Sequence, residues 1–491
     1  MNLSVLGHDP AAPLLFTSGT FFLFFSLFLV GYLAVFSRRR LKLAYVLIFS
    51  GFYYYKCNGV FVGALAFTTV LDFAIARRLK GTASRTVRRR WVALSVLANV
   101  AVLGYFKYTN FILGSLATLR GEGAPLPLDI FLPIGISFYT FQSIAYVVDV
   151  HRGDVEPTAS LLEYAFFLSF FPQIVAGPIV RAADLLPQIR DRRAHIDAHR
   201  VRSGLFLVIT GLAKKAIVAD TIGIYVDLVF GQPAAYRAPE TWLAVYGYAL
   251  QIFFDFSGYS DMAVGMARIL GFDLPENFRQ PYRARNITEF WQRWHITLSR
   301  WLRDYVYIPL GGNRRGAVRR YRNLMLTMLI GGLWHGAAWN FVVWGGLHGL
   351  ALVVHKLVVE RGGAAWRPRS GATRRAISWS STVATFHFVG AAWVLFRAPT
   401  FARAGDVFRG LVGPWPAAAE TWTLAQARAD ILLAVGVGGL LAFVPSPWFA
   451  RAERWFIRAP WAARTALFLL CVQGVVQLAD RDVQPFIYFQ F

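Results

Sequence analysis

Five of the nine histidines lie in or beside long apolar runs: His295, His335, His348, His355 and His387. Of the others, His8 is in the N-terminal tail, His151 caps an apolar run, and His195 and His199 sit in a basic loop. Histidine is the side chain whose ordinary pKa lets it take up and release a proton near neutral pH. His335 has the most informative setting, "GGLWHGAAWN" at 331–340, with Gly331, Gly332 and Gly336 around it and Trp334 before it. Glycine lets backbones approach closely or lets a helix open into a cavity. The apolar run that carries it, 322–337, would be only about 24 Å long as a helix. Its end would therefore fall inside a bilayer core of about 30 Å. An ionisable group there is a functional candidate by default. A histidine that packs and hydrogen-bonds between helices is the alternative.

His295 lies in "NITEFWQRWHITLSRWLRDYVYIPLGGNRR", 286–315. Asn286 and Glu289 make a capping-box-like start, and Pro309 with Gly311 and Gly312 stops the segment. Between them Trp291, Trp294, Leu298, Trp301 and Tyr305 recur at three- and four-residue steps, which predicts an aromatic stripe on one helix. Gln292, His295 and Ser299 recur at the same steps, one residue round, as a polar stripe. The charge of the segment argues against a lipid-facing span; it suits an interface or a cavity wall. An interfacial aromatic belt explains the tryptophans, but not the aligned Gln, His and Ser. Gln292, Trp294, Ser299 and Trp334 are the candidate substrate-binding residues.

Other chemistries are missing from the pattern. There is no G-x-S-x-G elbow, no H-E-x-x-H helix and no P-loop. Two cysteines, Cys57 and Cys471, give neither a disulfide framework nor a cysteine metal site, and no metal ligands are assigned. Asp255 and Asp261 in "FFDFSGYSDMA" are buried carboxylate candidates that orient a histidine or, the preferred reading, bond neighbouring backbone.

These residues must be positioned by membrane helices. The 491-residue chain is 56% hydrophobic and 16% charged, more apolar and less charged than soluble domains. Apolar runs of roughly 18–25 residues recur along it, each long enough to cross a bilayer. The net charge of +24 need not mean nucleic acid. Lys and Arg gather in blocks between the runs, at 37–42, 77–90, 189–202, 313–322 and 367–375, which is the positive-inside pattern. Placing these blocks in the cytoplasm gives an all-α protein with about twelve crossings, and both termini outside. Runs at 41–55 and 59–76 form a tight hairpin. The segment 161–181, broken by Pro172, Gly177 and Pro178, is a re-entrant candidate, since both of its flanks fall on one side. No internal repeat is visible, so an inverted-repeat transporter finds no support. The whole chain, 1–491, reads as a single membrane-embedded domain.

Six stretches together carry a resemblance: "FLPIGISFYTFQSIAYVVDVHRGD" (131–154), "FFPQIVAGPIVR" (170–181), "FFDFSGYSDMAVGMARILGF" (253–272), "FWQRWHITLSRWLRDYVYIPLGGNR" (290–314), "GGLWHGAAWNFVVWGGLHG" (331–349) and the terminal "FIYFQF". They resemble, in order, the membrane-bound O-acyltransferase (MBOAT) superfamily, in its bacterial branch of alginate O-acetylation and teichoic-acid D-alanylation proteins. The resemblance implies that His335 is the catalytic histidine, that His295 is a second catalytic-region residue, and that His348 is a structural companion. It implies a tunnel reached from both faces, in which neutral His335 takes a hydroxyl proton as the oxygen attacks an acyl thioester. His295 would orient the donor or hydrogen-bond the oxyanion. The expected enzyme sits in the bacterial inner membrane. It moves a small acyl group, with acetyl expected, from acetyl-CoA or a carrier-protein thioester toward an extracytoplasmic polysaccharide such as alginate, through an esterase-like partner protein. No tightly bound cofactor is expected, the surrounding partner is the lipid bilayer, and nucleic acid is not one. D-alanyl transfer to teichoic acid, or a transporter or scaffold without chemistry, are the alternatives. The apolar tail "PFIYFQF" is expected to be exposed, docking the partner or lying in the lipid interface.

Overall fold

The computed structural model describes residues 7–10, 13–123, 125–191, 196–362, 371–417, 428–479 and 486–487. His195, part of the 367–375 block and the last four residues of the tail lie outside the described residues. Among the described residues every regular element is helical. In chain order the helices are α1 (Gly19–Val35), α2 (Arg39–Asn58), α3 (Val62–Gly81), α4 (Arg85–Leu103), α5 (Thr109–Leu119), α6 (Ile136–Arg152), α7 (Leu161–Ser169), α8 (Phe171–Ile174), α9 (Ala182–Arg190), α10 (Ala198–Leu212) and α11 (Asp220–Gly231). They continue with α12 (Ala238–Ile269), α13 (Ile287–Arg293), α14 (Ile296–Leu302), α15 (Ala317–His335), α16 (Trp339–Gly362), α17 (Gly371–Arg397), α18 (Phe401–Leu411), α19 (Ala429–Phe443), α20 (Ser446–Arg458) and α21 (Trp461–Ala479).

Among the described residues, four helical runs are long and apolar enough to cross a membrane: Arg39–Gly81, Arg85–Leu119, Trp339–Arg361 and Gly371–Arg397. A fifth is added if α19 and α20, bent by 98° at their junction, form one broken span. The expected count of twelve also draws on shorter and more charged helices, α15 among them, which length and composition alone do not mark as spans. The expected hairpin of 41–55 and 59–76 corresponds to two helices, α2 and α3, separated by a three-residue turn at Gly59–Phe61 where Gly59 has φ 56°.

The chain divides into two compact units. The first comprises Met1–Val208 with Tyr259–Pro275, the second Ile209–Gly258 with Glu276–Phe491. In the first unit, the segment expected to break does so. Helix α7 ends at Ser169, Phe171 N–H donates to Ser50 Oγ at 3.1 Å, and the backbone after α8 runs non-helical to Arg181. Residues 166–180 are buried throughout, so protein covers this irregular backbone, as membrane depth would require. The buried Asp72 carboxylate joins α3 to α4, accepting from Ser95 Oγ at 2.6 Å and Asn99 Nδ2 at 2.8 Å.

In the second unit, α15 and α16 make a very close helix pair. A Cβ on Gly332 would overlap the carbonyl oxygen of Phe341, and one on Gly345 that of Met328. The absence of these two side chains is what lets the backbones approach. This pair carries His335 and His348.

Candidate active site

His335 is the last residue of α15. Gly336, with extended backbone (φ −158°, ψ 147°), ends the helix there. The helix starts at Ala317, five residues before the expected 322, because Val318 to Arg322 continue it beyond the apolar run. His335 is 2% exposed. Its ring packs at 5.0 Å from Trp334, 5.1 Å from Trp344 and 5.3 Å from Phe396, centroid to centroid. Trp344 in turn lies 4.7 Å from His348.

His295 reaches the same place by a different route. The single helix expected over 286–308 is broken: α13 ends at Arg293, α14 begins at Ile296, and Arg303–Tyr307 is a π-helical turn. The polar stripe of Gln292, His295 and Ser299 therefore does not run along one helix. His295 sits at the break with φ 42°, and only it and Gln280 among described non-glycine residues have positive φ. Such backbone is strained and persists where neighbours hold it. Here Asn277 holds it: its carbonyl accepts from Ile296 N–H at 2.9 Å, and its Oδ1 accepts from Thr297 N–H at 3.3 Å and Thr297 Oγ1 at 3.0 Å. The break turns the fully buried His295 ring toward α15. Its centroid is 6.4 Å from that of His335 and 6.0 Å from Trp334, and Phe256 meets it edge-on at 4.7 Å. Two imidazoles this far apart can both contact one small group between them.

The start of α13 follows the sequence. Asn286 Oδ1 accepts from Glu289 N–H at 2.9 Å, while the Glu289 carboxylate accepts from Arg285 N–H and binds Arg285 and Arg293. Burial pushes the Glu289 carboxyl up, but these donors outweigh it and hold the group below its ordinary value.

A cavity of about 480 Å³ opens beside the two histidines in sequence, lined by α13, α14, α15 and α16 residues. Gln292 and Ser299 are on its wall, with Trp291, Arg300, Arg303 and Tyr307. His295 and His335 are not. Ile296, the residue after His295, is, as is Met328, two turns before His335. Trp294 is also absent from the wall. It is fully buried among Phe278, Phe290 and Trp393 at 5.0–5.6 Å and packs the core. Trp334 contacts both histidines instead.

Asp255 bonds neither a histidine nor neighbouring backbone. It forms a buried ion pair with Lys215 at 2.7 Å, and Lys215 also binds Asp220 at 2.5 Å. Its Oδ2 accepts the N–H of Ile487 at 2.9 Å, a residue 232 positions away. Phe486 and Ile487 are therefore buried, at 1% and 3% exposure, and this part of the tail is anchored inside the unit, not exposed as expected. A carboxylate removed from water needs such a full set of partners, and the tail N–H supplies one. Of the remaining histidines, His355 Nδ1 bonds Thr288 Oγ1 at 2.9 Å, and His387 bonds Tyr246 Oη at 3.0 Å. Asn277, Trp344, Phe396 and the arginines of the cavity were not candidates from sequence. Asn277 stands 18 residues before His295, outside any helical repeat that could have flagged it.

His295 and His335 thus form a buried pair beside tryptophans, in an apolar chain whose regular elements, among the described residues, are all helices. The profile of the membrane-bound O-acyltransferase family, MBOAT, matches residues 156–396. The probable alginate O-acetylase of Pseudomonas putida is 36% identical over 509 residues, covering 97% of this chain and 100% of that protein. The peptidoglycan O-acetyltransferase of Helicobacter pylori is 38% identical over 394 residues, 75% of this chain and 73% of its own. The teichoic acid D-alanyltransferase of Bacillus subtilis is 29% identical over 278 residues, 55% of this chain and 69% of its own. The chain belongs to the membrane-bound O-acyltransferase family and is an acyltransferase.

Proposed function

We propose that this protein moves an acetyl group from a cytoplasmic thioester toward an extracytoplasmic polysaccharide, from a multi-pass position in a bacterial inner membrane. The observation that carries this reading is the buried pair of His335 and His295, 6.4 Å apart. His335 takes the proton of an incoming hydroxyl as its oxygen attacks the thioester carbonyl carbon. The tetrahedral intermediate collapses, the C–S bond breaks, and the proton passes to the leaving thiolate. The packed aromatics exclude water, which would otherwise hydrolyse the thioester. His295 either orients the donor or hydrogen-bonds the oxyanion.

The donor, acetyl-CoA or a carrier-protein thioester, enters through the cavity. Its apolar walls accept a thioester arm, and Arg300 and Arg303 suit the phosphate that both donors carry. A polysaccharide is too bulky to reach His335. A separate extracytoplasmic protein with its own nucleophile therefore receives the acyl group and delivers it. Twelve crossings, with both termini outside, are the topology that serves this transfer.

Purified protein with radiolabelled acetyl-CoA and D-alanyl or acetyl carrier-protein donors is the direct test. Consumption of an acetyl thioester supports the reading, preference for a D-alanyl thioester reassigns the acyl group, and consumption of none points to a transporter or scaffold. In liposomes with donor inside and polymer outside, acetylation by this chain alone would sink the relay.

A further inference from the structure

We infer that Asn277 is a positioning residue that fixes which nitrogen of His295 carries the proton, so that neutral His295 works in the reaction as a hydrogen-bond acceptor and not as the oxyanion donor. This rests on the acyl-transfer reading and decides between the two roles it leaves for His295.

The argument starts from one oxygen. Asn277 is 2% exposed, and the Oδ1 end of its amide meets three groups: Thr297 N–H at 3.3 Å, Thr297 Oγ1 at 3.0 Å and His295 Nδ1 at 3.1 Å. A backbone N–H can only donate, so the amide atom it faces is the oxygen and not the NH₂. An amide oxygen can only accept. The His295 nitrogen facing it must therefore carry hydrogen, and His295 Nδ1–H donates to Asn277 Oδ1. In a neutral imidazole the other nitrogen, Nε2, then holds the lone pair. A lone pair cannot stabilise a negatively charged oxygen. It accepts from an O–H or N–H, such as the attacking hydroxyl or an amide N–H of the thioester arm.

The backbone supports the same conclusion. Asn277 holds the left-handed turn at His295 through its main chain and its side chain together, since its carbonyl takes Ile296 N–H. Ring direction and proton position are thus set by one residue, in the way that a buried acceptor on the far nitrogen orients a catalytic histidine.

The test uses the full-length protein in detergent or lipid with ¹⁵N-labelled histidine. The His295 signals are assigned by their loss in His295→Gln. At neutral pH they should show a protonated Nδ1 and a bare Nε2; the reverse pattern overturns the proposal, whatever the variants do. Asn277→Leu should lower kcat for thioester consumption by about 100-fold or more, the scale of a lost acid–base contribution, and populate the Nε2–H form. Asn277→Asp keeps an acceptor oxygen. It should retain kcat to within about tenfold of wild type, against the larger loss expected of a missing orienter. Its acid limb should move to higher pH, because a carboxylate beside Nδ1–H favours the imidazolium. Equal loss in both variants with an unchanged His295 tautomer also overturns it. If wild-type protein consumes no thioester, the acyl-transfer reading fails, while the wild-type spectrum still decides whether Asn277 sets the proton.

Discussion

At the scale of single residues, the proposed chemistry is concentrated in two imidazoles reached by different means, one at a helix end and one at a helix break. Replacing His335 with alanine should lower thioester consumption by about 100-fold or more, the scale for loss of a general base, while expression and membrane insertion are unchanged. Near-normal turnover in a well-folded preparation would leave His335 as a packing residue. His348 makes the contrasting case. It is fully buried between Phe290, Trp291 and Trp344, so His348→Ala should lower the unfolding temperature through the cavity it leaves. Turnover per folded molecule should remain substantial, measured by normalising rate to the monodisperse fraction. The burial of His335 was legible in the sequence because glycines around a lone histidine in an apolar run are conspicuous. Asn277 was not, since a contact across 18 residues of chain with reversed direction leaves no periodic trace.

At the scale of elements, the sequence pattern and the fold part company over 286–308. The three- and four-residue spacing of aromatics there is real, but Asn277 competes for the backbone at Ile296 and Thr297 and breaks the helix where His295 lies. Periodicity reports a preference for helix and cannot report a tertiary partner that overrides it. The α15–α16 pair shows the opposite case, since the small residues that make it are visible as Gly332 and Gly345. Ala at either position should force the backbones apart, lowering thermal stability and, because His335 rides on α15, activity as well. Unchanged activity in Gly332→Ala would mean that the site tolerates that movement. The Glu289 carboxylate gives a pH signature for α13. Its pKa is depressed in the folded protein, so its contribution is full above the unfolded value of about 4.3 and is lost as pH falls through the lower folded value. The stability gap between wild type and Glu289→Gln, followed by thermal unfolding, should be present at pH 7 and close at acid pH.

At the scale of the whole molecule, composition and blocks of basic residues made a helical membrane protein legible, while the number of crossings rests on helices too short or too charged to declare themselves. Single cysteines at Ala83, His199 and Gly371, all exposed, in a background lacking Cys57 and Cys471, should resist an impermeant thiol reagent added from outside and react once the membrane is opened. Labelling of any one from outside would reverse the orientation of its segment. The glycine contact between α15 and α16 has a consequence for how such an enzyme diversifies. The closest points of that joint are backbone against backbone, so side chains away from the seam do not set it. Leu324 and Leu352, which line the cavity from these two helices, can therefore change in size while the mount of His335 stays where it is. Selectivity for what is carried and competence to carry it are then separable under mutation, so a library randomised at these two positions should yield altered acyl-chain preferences at near wild-type abundance.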